Sequence, residues 1–147
     1  MDFVTFEIAK KLKEKGFQEE CLAYYTSEYT LYNNTICLTE DKYLCVCNID
    51  YEEFLKSNNQ ETKRENICDA PTISQVLKWM RKEKHLHIEL VAAAYGYNYI
   101  VSQTPEDGGT DYYSSAWEYA GPNDGGAWDS DEQAALAGIE YTLNYLI

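Results

Sequence analysis

His85 and His87 are the only two histidines in the chain. On a strand, the H-x-H spacing would put both rings on one face, as in some metal sites. No cysteine or acidic cluster near them in sequence completes a ligand set, and two solvent-facing imidazoles beside Lys84 account for the same residues. The five cysteines are Cys21, Cys37, Cys45, Cys47 and Cys68. Cys45-x-Cys47 is too close for a C-x₂-C zinc knuckle and lacks a second pair. A Cys–His hydrolase would need Cys37, Cys45, Cys47 or Cys68 beside a histidine in space, and no motif of such enzymes surrounds any of them. Cys37, Cys45 and Cys47 lie among apolar strand formers, where a thiol behaves as a small buried hydrophobe.

The remaining chemical signals are weaker. Asp124–Glu132, DGGAWDSDE, has the acidity of a calcium loop without its alternating ligands, central glycine and distant closing glutamate. Asp129 and Asp131 suit the start of a helix instead, where carboxylates meet the positive end of the dipole. Neither Gly108-Gly109 nor Gly125-Gly126 leads into Lys-Ser or Lys-Thr, so there is no phosphate-binding loop. Glu52-Glu53 is ordinary surface charge. Lys78, Arg81, Lys82 and Lys84 form a solvated helix face. No catalytic, metal-ligating or cofactor-binding residue is assigned on these grounds, and no cofactor is expected.

Charge narrows the partners. Twenty-five acidic residues against 12 basic ones leave a net −13, spread over roughly 7,700 Å² for a folded chain of this mass. Such a surface repels nucleic-acid phosphates and anionic membranes. Solubility alone explains acidity of this kind. A sharper alternative is a surface that imitates nucleic acid and is aimed at a basic protein. No apolar run approaches the roughly 20 residues of a membrane span. The start, MDFVTFEIAK, lacks the basic and apolar regions of a secretion signal. An odd cysteine count without an export signal argues against a disulfide framework. These features predict a cytoplasmic protein, with 1–147 as a single domain.

The elements that would position any site follow from capping and periodicity. Residues 3–17 predict a helix capped by Thr5, with Ile8, Ala9 and Leu12 inward and Gly16 ending it so that Phe17 folds back on Leu12. Residues 21–49 predict a three-stranded meander through Cys21–Tyr25, Tyr29–Tyr32, Thr35–Leu38 and Tyr43–Asn48. Tyr51–Lys56 suits a short helix. Residues 57–66, SNNQETKREN, contain no apolar side chain and predict a mobile loop. Thr72-Ile73-Ser74-Gln75 fits a capping box. It opens a helix with Ile73, Val76, Leu77 and Met80 on one face and Trp79 on its flank. Leu86, His87, Ile88, Glu89 and Leu90 alternate as a strand. Ala92–Gly96 turns the chain and Tyr97–Val101 returns. Ser130 and Gln133 fit a second capping box, opening a last helix through Ala135, Leu136, Ile139, Leu143 and Leu146. Gly138 costs that helix about 1 kcal/mol against alanine, which suggests close approach to another element. The predicted class is α+β, with an antiparallel sheet built from two hairpin or meander units and three main helices on one face, in the order α-βββ-α-ββ-α.

Residues 102–128 form the other irregular region, with two Gly-Gly pairs, two prolines and many aromatics. Long irregular stretches in compact domains tend to serve function. Tyr112, Tyr113, Trp117, Tyr119 and Trp128 are therefore the candidate contacts for a partner. A local hydrophobic cluster pinning a long loop explains the same residues.

Three stretches carry a resemblance: TFEIAKKLKEKGF at 5–17, APTISQVLKWMRKEKHLHIEL at 70–90, and EQAALAGIEYTLNYLI at 132–147. Their pattern of a helix ending in Lys-Gly-Phe, an Ala-Pro-Thr helix containing Leu-Lys-Trp, and a terminal helix resembles a family of small uncharacterised proteins of gut Bacteroidales and their phages. The resemblance covers about a third of the chain. It implies fold and origin, supplies no activity and assigns no site residue. The expected function is that of a small, acidic, non-enzymatic accessory protein of phage or mobile-element type that binds another protein. The alternatives are a nucleic-acid-mimicking inhibitor of a basic nucleic-acid-binding protein, and a small Cys/His hydrolase or metal protein.

Overall fold

The computed structural model describes residues 2–32, 35–38, 43–46, 62–103, 111–114 and 121–147. The fold is α+β. Helix α1 (Phe6–Glu14) is followed by strands β1 (Ala23–Tyr32), β2 (Thr35–Leu38), β3 (Tyr43–Val46) and β4 (Thr62–Ala70). Helix α2 (Ile73–Glu83) leads to β5 (Leu86–Ala93), β6 (Gly96–Gln103) and β7 (Asp111–Ser114), and α3 (Asp131–Tyr145) ends the chain.

The helices begin and end for local reasons. The Thr5 hydroxyl accepts from the Ile8 amide at 3.3 Å, capping α1. At the other end Gly16 takes φ 89. The Phe17 and Gly16 amides then donate to Leu12 and Lys13 carbonyls at 3.0 and 3.3 Å, so both orphan acceptors are satisfied. The capping box of α2 is complete: Gln75 N donates to Thr72 Oγ1 at 3.2 Å, and Thr72 N donates to Gln75 Oε1 at 3.1 Å. In α3, Ser130 Oγ accepts from the Gln133 amide at 3.2 Å, but the Gln133 side chain makes no return bond, so the expected second capping box is an N-cap only.

The two strand units form two separate antiparallel sheets rather than the single sheet expected, because none of the described strands of one unit pairs with a strand of the other. In the first, β1 pairs with β4 along one edge, while β3 and β2 lie end to end along the other. The second has the order β5-β6-β7. The first sheet corrects two expectations. Tyr25 and Tyr29 belong to one continuous strand, because Thr26, Ser27 and Glu28 keep their pairing with β4, so three strands form over 21–49 as expected; their meander order does not, since β2 and β3 each pair with β1 rather than with each other. Residues 62–66 of the predicted loop belong to β4, while 57–61 lie outside the described residues, as does the helix expected over 51–56. Backbone pairing carries this strand without apolar periodicity. Ile67 is the extra residue of a bulge where the register shifts between Tyr25 and Thr26.

The three α-helices among the described residues contribute to one core. Val4, Leu12, Val76, Met80, Leu86, Val101, Ile139 and Leu143 are almost completely buried, each worth about 1.5–3 kcal/mol against exposure. Trp79 is buried rather than flanking, edge-on to Phe17 at 5.3 Å, and Leu77 is only half-buried. Leu77 and Trp79 lie at opposite edges of the Ile73, Val76 and Met80 stripe, and the buried face is turned toward the indole edge, where Phe17 packs. Gly138 makes the predicted close approach: a Cβ there would lie 3.0 Å from Tyr99 Cγ and 3.1 Å from Ile88 Cγ2. Helix α3 thus seats directly on the inner face of β5 and β6. Among the described residues, no helix is long and apolar enough to cross a membrane.

Candidate protein-binding surface

The second sheet projects a hairpin whose tip is both apolar and exposed. Its root behaves as its alternation predicts, with Leu86 and Ile88 buried and His87 and Glu89 exposed. Beyond Leu90 the alternation of burial stops. Val91, Ala92, Ala93, Ala94, Tyr95 and Tyr97 are all exposed, Tyr95 to 62%. The turn is narrower than the sequence suggests, because Ala93 and Gly96 still pair and only Ala94 and Tyr95 lie between the strands. Ala94 and Tyr95 avoid positive φ, and Gly96 takes φ 136.

Residues 121–130 hold this tip in place. Tyr97 and Trp128 exchange backbone hydrogen bonds at 2.8 and 2.9 Å. Asn123 Nδ2 donates to the Tyr95 carbonyl at 2.8 Å and to Asp129 Oδ1 at 2.7 Å. The loop is braced internally by Gly121 N to Gly126 O and Asn123 N to Ala127 O, both at 3.0 Å. The Trp128 ring packs on Tyr99 at 5.6 Å, Tyr99 lies 6.1 Å from Tyr141, and Tyr141 lies 5.0 Å from Tyr145. An aromatic ladder therefore runs from the loop beneath the hairpin to the end of α3, where Tyr145 is exposed. Close approach at Gly96 is obligatory, since a Cβ there would fall 2.1 Å from the Trp128 carbonyl oxygen.

The predicted contact residues separate. Trp128 is half-buried in the ladder, with its backbone in the bridge to Tyr97. Tyr112 and Tyr113 lie in β7, opposite Ser102 and Val101 in register. Trp117 and Tyr119 lie outside the described residues. Sequence reasoning does not single out Tyr95 and Tyr97. The available signal is the turn itself: Val-Ala-Ala-Ala-Tyr-Gly-Tyr has none of the Asn, Asp, Ser or Pro that usually mark an exposed turn.

Among the described side chains the histidines and cysteines do not converge; Cys47 lies outside the described residues. His85 follows the C-cap of α2 with φ 57, and β5 begins at Leu86, so His85 and His87 do not share a strand face. Among the described residues, no group of three His, Cys, Asp or Glu side chains is placed to hold a metal. Cys68 is buried on β4, and Cys21 is a partly buried free thiol. Burial, then the charges of Asp69 and Glu19, push the Cys21 thiol up to about 11, which works against a nucleophilic thiolate. What the described surface offers is exposed aromatic and aliphatic area on a braced hairpin. No family model, curated protein or solved structure matches this chain, so the family resemblance rests on its three stretches of sequence.

Proposed function

We propose that this chain is a non-enzymatic binding protein that captures another protein through the apolar tip of its β5–β6 hairpin. The observation that carries the proposal is the exposure of Val91, Tyr95 and Tyr97 on a turn fixed by the Asn123 and Trp128 hydrogen bonds. Tyrosine gives large contact area with few rotors, and it is enriched among residues that dominate binding energy. A turn held before binding loses less conformational freedom on binding. The three stretches of family resemblance support an accessory protein of phage or mobile-element type.

The test is affinity capture from the host with wild type, Tyr95→Ser and Tyr97→Ser, read by mass spectrometry. Tyr95 is 62% exposed, so Tyr95→Ser should unfold within about 0.5 kcal/mol of wild type; Tyr97 is 37% exposed, so its variant is first matched to wild type by thermal unfolding. A partner lost with either variant supports the proposal, and equal capture by all three refutes it. Loss only with Tyr113→Ala plus Trp117→Ala would move the contact to 111–119. The net charge of −13 favours a second reading, mimicry of nucleic acid toward a basic protein. That reading predicts capture that weakens steeply with salt.

A further inference from the structure

A groove of about 560 Å³ opens between the first turns of α2 and α3. Leu22, Ile73, Leu77, Leu90 and Ala135 supply its apolar walls. Leu22 is 58% exposed, an aliphatic side chain left uncovered at the groove. Asp2, Asp131 and Glu132 also line it, and none of the described lining residues is cationic. The two helix ends oppose this negative field with roughly half a positive charge each, so the described groups together sum to about −2. The Asp131 carboxylate spends one oxygen on the Glu132 amide at 3.0 Å. Leu90 is the last partly buried residue of β5 before the exposed tip, so the groove lies at the base of the hairpin.

We infer that this groove takes a short cationic segment of a partner protein, one that seats an aliphatic side chain between Leu22, Leu77 and Leu90 and sets Lys or Arg against Asp2, Asp131 and Glu132. The inference rests on the protein-binding reading and gives the partner a chemistry. Charge selects the occupant. An acidic or phosphorylated segment would meet three carboxylates at the groove, and a second copy of this chain would bring another −13. A purely polar basic segment would leave the apolar walls uncovered.

The experiment uses the full chain and a labelled synthetic peptide of alternating leucine and arginine, read by fluorescence anisotropy. One control peptide has serine for leucine, and another has glutamate for arginine. The Leu/Arg peptide should bind about tenfold more tightly than the Ser/Arg peptide, a difference of about 1.4 kcal/mol, and the Leu/Glu peptide should not bind. Leu22→Ser should remove most of the Leu/Arg advantage. It alters an exposed side chain, so the fold stays intact. Asp131→Asn combined with Glu132→Gln should weaken both basic peptides several-fold, with circular dichroism confirming that α3 persists. Equal binding of the two basic peptides would overturn the inference, because the overall charge alone then attracts them. So would a Leu22→Ser variant that binds like wild type. Tyr95→Ser should bind the peptide normally, so failure of the hairpin reading and failure of the groove are separately visible.

Discussion

Replacing Gly96 by alanine should release the loop that braces the hairpin. The new Cβ would sit 2.1 Å from the Trp128 carbonyl oxygen and 2.9 Å from its carbon, more than roughly 1 Å inside van der Waals contact. Both groups are backbone, so no rotamer change relieves the clash. The cheapest escape is to part Tyr97 from Trp128. That loses two hydrogen bonds of 2.8 and 2.9 Å, about 1 kcal/mol each. The Trp128–Tyr99 ring pair adds about 0.5–1.5 kcal/mol, and the positive φ at Gly96 adds about 1 kcal/mol for a residue with a Cβ. The expected loss is about 3–5 kcal/mol, or roughly 6–20 °C in Tm for a chain of this size. Gly125→Ala is the control. Gly125 has φ 76, and a Cβ added there would meet nothing within 4 Å, so it should cost only about 1–2 kcal/mol. Thermal unfolding by circular dichroism measures both, and hydrogen exchange at the Tyr97 and Trp128 amides reports the bridge. Equal losses in the two variants, with both amides still protected, would refute the idea that this loop is braced through Gly96.

Three further predictions concern packing and ionisation. Gly138→Ala gains about 1 kcal/mol of helix propensity but forces its methyl against Tyr99 and Ile88 at 3.0 and 3.1 Å, so a net loss of about 1 kcal/mol is expected; a raised Tm would contradict the close seat of α3. Tyr25→Phe strips the Val4 carbonyl of a 2.6 Å donor and should cost about 1 kcal/mol in urea unfolding. Burial, then Cys68, raises the Tyr25 pKa, so its stabilisation is full below the unfolded value near 10 and fades as pH rises through the folded one. The gap between wild type and Tyr25→Phe should therefore be smaller at about pH 10.5 than at about pH 8, and a constant gap would argue against it. Cys21, with its thiol pushed up to about 11, should alkylate roughly tenfold more slowly than a free thiol at about pH 8.5, because its smaller thiolate fraction outweighs the greater nucleophilicity of the thiolate. Asp69→Asn should speed the reaction, and peptide mass spectrometry locates the label.

What the sequence displays well is local. Thr5, Gly16 with Phe17, Thr72 with Gln75, and Ser130 act within one helical turn, and each is found in its expected place. Gly138 is legible because a mid-helix glycine is costly unless a neighbour needs the room. The misses are tertiary. Strand β4 depends on a partner more than 30 residues away, as in Thr30 opposite Thr62, so its polar stretch shows no periodicity of its own. Trp79 turns inward because Phe17, beyond the end of another helix, offers an aromatic edge. The hairpin tip reads as a plain turn because its apolar residues look like core until the topology leaves them outside. Trp128 reads as a contact residue, and its backbone bridge to Tyr97 is visible only in three dimensions.

The most direct test of the central claim is site-specific cross-linking in the host cell. A photoreactive phenylalanine analogue would replace Tyr95 at the hairpin tip, and in separate cells Arg81 on the exposed face of α2. One discrete adduct with another protein from position 95, weak or missing from position 81, is the predicted result. No adduct at 95, or the same adduct from both positions, would contradict a protein-binding role for the hairpin.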